Sequence, residues 1–108
     1  MTPIQQLMFG VGGAESKTYM DDLFSTYLWA GSGSSRSINT GVNMSKGGLT
    51  WIKRRDGSDS HALFDTSRGA TKGINSNTDS AEGTDTDSLT SFNNNGFSLG
   101  TGYTNFAT

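Results

Sequence analysis

Apolar residues in this chain come in short runs separated by stretches of Gly, Ser, Thr and Asn, and no run keeps helical spacing long enough for an amphipathic helix. The pattern predicts short strands joined by turns. The chain opens on an apolar head, Ile4, Leu7, Met8, Phe9 and Val11, followed by the flexible pair Gly12-Gly13. Pro3 can start one helical turn through Leu7, but a helix that short needs a surface to pack on. Such a head is either tucked into its own domain or inserted into a partner. Asp22–Trp29 reads as the first strand, with Leu23, Tyr27 and Trp29 on one face and Phe24 and Leu28 on the other. Apolar groups on both faces predict a strand covered on both sides, one of them by a neighbouring element or subunit.

Ser35–Ile38 and Val42 are weaker strand material around the turn Asn39-Thr40-Gly41. Beyond Gly47-Gly48, Leu49–Arg55 alternates as a half-buried strand does, Asp56-Gly57-Ser58-Asp59 suits a hairpin tip, and His61–Asp65 is the returning strand. Thr66–Gly83 has neither period and reads as a long surface loop. A second hairpin pairs Ser88–Phe92 with Phe97–Gly100 through Asn93-Asn94-Asn95-Gly96, which sets Phe92 against Phe97. Tyr103 and Phe106 suggest one further strand. With no helix available for a parallel crossover, the fold class is all-β, an antiparallel sandwich.

Gly, Ser, Thr and Asn make up about half of the 108 residues, and only 31% are hydrophobic. A single domain of this size with so little core material draws part of its stability from oligomer contacts. The net charge of −2 argues against non-specific nucleic-acid binding, which needs a positive footprint. Charge is nonetheless segregated: Lys53, Arg54, Arg55, Arg68 and Lys72 precede Asp79, Glu82, Asp85 and Asp87. Either both clusters are solvated surface or one meets the other across a subunit contact. Without cysteine there is no disulfide, thiolate metal site or cysteine nucleophile. Residues 1–20 lack the basic flank and long apolar segment of a secretory signal, and no stretch suits membrane insertion. The expectation is synthesis in a cytoplasm, with any extracellular role following release.

Catalytic chemistry finds little to build on. His61 is the one histidine, and Asp65 lies about 13 Å from it along a strand, too far for a direct hydrogen bond. His61 reads instead as a structural histidine bonded near the hairpin base. Glu15 and Glu82 stand in turn-rich sequence without the partner carboxylate that sugar hydrolysis requires. The acidic run from Asp79 to Asp87 lacks the spacing of an EF-hand, and Gly10-x-Gly12-Gly13 lacks the strand and helix of a phosphate cradle. Lys53-Arg54-Arg55 beside Trp51 reads as a charged strand edge that resists aggregation. No catalytic residue, metal ligand or cofactor is expected.

Taken together in order, Asp21–Leu28, Gly48–Arg55, His61–Lys72, Leu89–Phe92 and Gly96–Gly100 resemble a family of phage virion proteins, tail-fibre-like and frequent in phages of marine bacteria and cyanobacteria. Their domain is similar to concanavalin-A-like lectin sandwiches, and the resemblance covers roughly residues 19–106. It implies a lectin-like, jelly-roll-like domain over 19–108, an anchor at 1–18, and a virion component without enzymatic activity. Docking to tail or baseplate proteins would fall to Ile4, Leu7, Met8, Phe9 and Val11. Phe24, Tyr27, Leu28 and Trp29 would form the subunit interface of a homotrimer. Family members usually continue into another Trp-containing strand, so the expectation here is an incomplete sandwich, either the ordered or attached part of a longer fibre or a domain that takes its missing strand from a partner. Two other readings stand beside the tail fibre: a module binding host surface glycans on Trp51 and Tyr103, or on Trp29, and a capsid decoration protein.

Overall fold

A computed structural model describes residues 18–105. The docking residues Ile4, Leu7, Met8, Phe9 and Val11, and also Phe106, lie outside that range. Seven strands run in chain order: β1 (Arg36–Asn39), β2 (Leu49–Ile52), β3 (Ala62–Asp65), β4 (Lys72–Asn75), β5 (Gly83–Thr84), β6 (Leu89–Asn93) and β7 (Gly96–Leu99). They form two antiparallel sheets, one ordered β1-β7-β6 and the other β2-β3-β4-β5. Alternation decides what each sheet buries. Thr50 and Ile52 of β2 point inward while Leu49 and Trp51 point out, and β3 sends Ala62 and Phe64 inward. Ile38, Leu89, Phe97 and Leu99 of the first sheet meet Ile52, Ala62 and Phe64 of the second, so the core is the seam of a small all-β sandwich.

The hairpin of β6 and β7 has the expected facing pair, Phe92 opposite Phe97. Asn93 pairs with Gly96, which leaves only Asn94 and Asn95 in the turn. Gly96 is required there: its φ is +153°, and a Cβ would stand 2.0 Å from the carbonyl oxygen of Ile38 on β1. Met44–Lys46 forms a 3₁₀ turn capped by the Asn43 side chain, which accepts from the Ser45 N–H at 3.0 Å.

Four expectations are corrected. Asp22–Trp29 is not a strand: Met20–Leu23 is a single helical turn, α1, and Phe24–Ser35 follows without regular structure. Among the described residues no sheet edge pairs with this segment, so its strand propensity has no ladder to act through. The basic run Lys53–Arg55 lies beyond the end of β2, in a loop. Thr66–Gly83 contains β4 and β5; Gly73 fits only because it has no side chain, its Cβ position lying 2.9 Å from the Phe64 ring. A strand spelled Lys-Gly-Ile-Asn shows no alternation to read. Finally, Tyr103–Asn105 is a 3₁₀ turn rather than a strand.

An arm leaves the sandwich: Thr18 through Leu28 is exposed throughout.

Candidate functional site

The arm roots in a groove. Tyr27–Gly31 forms one wall, Ile52–Asp56 the other, and Tyr103 and Thr104 the floor, enclosing about 490 Å³ that opens to one side. Trp29 is the hinge of this wall. Its ring packs edge-on against Phe97 at 6.1 Å and lies 6.3 Å from Tyr27, so one side chain is anchored in the core while its neighbours stay outside. Tyr103 packs against the same core, and burial pushes its phenol above the ordinary tyrosine value, with the carboxylates of Asp85 and Asp59 adding to the shift.

The rim is charged. Arg54 donates from Nε to Asp56 at 2.8 Å and from an Nη to Asp59 at 3.2 Å. The hydrogen bond from Arg54 holds the Asp56 carboxyl below the usual range, helped by Coulomb attraction to Arg54 and Arg55. Lys53 turns its ammonium onto the carbonyls of Arg54 and Gly57, which curls the loop. Arg55 is exposed and has no ion-pair partner among the described residues. Thr104 is buried, and its hydroxyl has no hydrogen-bond partner there either.

The residue that fixes the arm to the body is Asn105, 1% exposed. Its amide nitrogen donates to the carbonyls of Ser34 at 2.6 Å and Gly100 at 3.0 Å, and its amide oxygen accepts from the Ser32 N–H at 3.3 Å. Its own carbonyl accepts from the Gly33 N–H at 2.7 Å. Sequence reading missed Asn105, because its partners Ser32 and Ser34 stand more than seventy positions away and an Asn among Asn-rich turns carries no signal.

Trp51 belongs to a different surface. It is 64% exposed on the outer face of the second sheet, where the register sets Trp51, Leu63 and Ile74 in one row across β2, β3 and β4. Its indole N–H donates to His61 Nδ1 at 2.9 Å, which puts the proton of a neutral imidazole on Nε2. His61 is thus bonded beside the hairpin as expected. Trp51 and Tyr103, named together as a glycan platform, therefore occupy separate surfaces, Trp51 outside and Tyr103 in the groove.

Of the interface residues, Phe24, Tyr27 and Leu28 are exposed and Trp29 is turned inward. The basic cluster is answered locally: Arg68 pairs with Asp65 at 2.9 Å, and Lys72 donates to Thr84 Oγ1 at 2.7 Å. Asp85 is occupied by the Asp87 N–H and the Ser88 hydroxyl. Among the described residues, no three His, Asp or Glu side chains converge on a point that could hold a metal ion. No helix there is long and apolar enough to cross a membrane.

A family model described as a domain of unknown function (DUF7483) matches residues 20–108. No curated protein and no solved structure matches the chain.

Proposed function

The chain belongs to the DUF7483 family, and we propose that it is a non-enzymatic structural protein of a bacteriophage virion. In this reading it forms the proximal part of a tail fibre, is made in the host cytoplasm, attaches to tail or baseplate proteins through its first 18 residues, and serves host adsorption as a homotrimer. The observation that carries the reading is the arm. Met20 is 76% and Leu28 71% exposed, with Tyr19, Leu23, Phe24 and Tyr27 exposed between and beside them. A chain with only eight buried apolar side chains among its described residues leaves eight large ones exposed, six of them along the arm, and such a cluster marks a protein contact. The likeness to tail-fibre proteins supplies the kind of assembly.

The subunit interface falls to Phe24, Tyr27 and Leu28, with Trp29 as their internal support. Replacing Phe24 and Leu28 together by Ser should lower oligomer mass in sedimentation while leaving the thermal midpoint of the dilute protein unchanged. Deleting residues 1–11 should leave a folded domain that no longer joins particles. A monomeric wild-type protein at high concentration, or unchanged incorporation of the deletion, would refute the reading.

A second reading, a glycan-binding module, is favoured by the exposed Trp51 ring beside polar His61 and Asn77, since sugars stack on aromatic faces and bond to polar rims. It predicts that Trp51→Ala abolishes any signal on a glycan array at no cost to folding, and a blank array for the wild type removes it.

A further inference from the structure

Resting on the homo-oligomer reading, we propose that the arm of one copy seats in the groove of the next: Leu23 and Phe24 enter between Tyr27, Ile52 and Tyr103, and Asp21 and Asp22 face Lys53 and Arg55. Three observations converge on a second copy as the occupant.

The first is the preformed shape of the arm. The helical turn is closed by the Phe24 N–H on the Met20 carbonyl at 2.9 Å, and Asp22 accepts from the Tyr19 N–H at 3.2 Å. Met20 and Leu23, three residues apart, share one side of that turn, and the two carboxylates lie off it. All of these side chains are exposed in their own chain. So short a helix needs a surface to pack on, and the groove of a second copy supplies one.

The second is charge. Between Thr18 and Ser35 the only charged residues are Asp21 and Asp22. The groove rim carries Lys53, Arg54, Arg55 and Asp56, and Arg54 is shared between Asp56 at 2.8 Å and Asp59 at 3.2 Å. Three cations against two carboxylates leave the rim net positive, with Lys53 and Arg55 outside the ion pairs, and it faces two anions on the arm. Opposite charge around an apolar centre is an arrangement that fixes register in a protein contact.

The third is the chain path. Tyr27 and Leu28, the last two residues of the arm, also begin the groove wall, so each copy offers an insert and a receptor side by side. The contact uses two different surfaces, insert on one copy and groove on the next, and such a head-to-tail contact closes into a ring when its rotation permits. A three-membered ring is the closure that matches the fibre reading.

The test is charge reversal with rescue, read as the dissociation constant from sedimentation velocity of the full chain. Asp21→Lys with Asp22→Lys, and separately Lys53→Glu with Arg55→Glu, should each weaken self-association about tenfold, because two rim attractions become repulsions. The quadruple variant should recover most of the wild-type affinity. All four positions are exposed, so the thermal midpoint should match wild type; the quadruple variant restores the charge match but not the hydrogen bonds of Asp22 and Lys53, so its recovery separates charge from local shape. An oligomer indifferent to both reversals, or a quadruple variant no tighter than either parent, overturns this seat and leaves the oligomer reading standing. A wild-type chain monomeric at every concentration overturns both.

Discussion

Asn105 is the residue on which the attachment of the arm depends, and its removal has a calculable cost. Asn105→Leu keeps the branched heavy-atom skeleton and deletes two donated bonds and one accepted bond. Each ordinary intramolecular hydrogen bond is worth about 1 kcal/mol net, and a buried carbonyl left unpaired costs about 1–3 kcal/mol more. The 3.3 Å bond to Ser32 is weak, and Ser34 is exposed enough for water to replace its partner. The bond to Gly100 is buried, so its carbonyl bears the full penalty. The sum is about 3 kcal/mol, a large share of the roughly 5–15 kcal/mol that holds a domain together. With a urea slope of about 1–1.5 kcal/mol per molar for a chain this short, the midpoint should fall by about 2 M. Tryptophan fluorescence is the assay, since Trp29 sits against Phe97. Asn105→Asp sharpens the test. Burial beside two carbonyls raises the folded-state pKa of the new carboxyl above its unfolded value. The folded form then binds the extra proton, and this variant's deficit relative to wild type should shrink as pH falls from 7 toward 4. A midpoint shift below a tenth of that expected, or an Asp variant with no pH dependence of its deficit, would refute the role assigned to this side chain.

Gly96→Ala should destabilise the domain by about 2–4 kcal/mol, because the added methyl meets the Ile38 carbonyl and β1 must part from β7; calorimetry reads it as a lower thermal midpoint. Tyr103 has a raised folded-state pKa, so its contribution is intact below the unfolded value of about 10 and is lost as pH rises through the folded one. Alkaline unfolding should therefore move to higher pH in Tyr103→Phe, and phenolate absorbance should show one tyrosine titrating last. Asp65 is lowered chiefly by the backbone N–H of Arg68, then by the Arg68 charge, so its contribution is present above about pH 4 and disappears as pH falls through the folded-state value. Asp65→Asn should match wild type in strong acid and be less stable at neutral pH, by urea midpoint.

Much of the fold was legible in local chemistry. The alternation Leu49-Thr50-Trp51-Ile52 and the facing phenylalanines about the Asn94-Asn95 turn specify their strands within a few residues, because side-chain direction in a strand follows sequence parity and a hairpin register follows its turn. Position 61 likewise declared itself structural, since the one histidine had no carboxylate within reach. What sequence could not carry was anything settled by distant backbone. Asp22–Trp29 has the composition of a strand, yet strand formation needs a paired edge, and among the described residues no strand pairs with it. Lys72–Asn75 has the composition of a loop, yet β3 supplies the edge and the Phe64 ring selects Gly73. The groove, too, exists only after folding, when Tyr27, Arg55 and Tyr103 are brought from three separate stretches onto one rim. Parity and turn chemistry are properties of neighbours in sequence and were fixed by the sequence alone. Pairing partners, the Asn105 clamp and the exposure of the arm are properties of neighbours in space, and only the tertiary structure decided them.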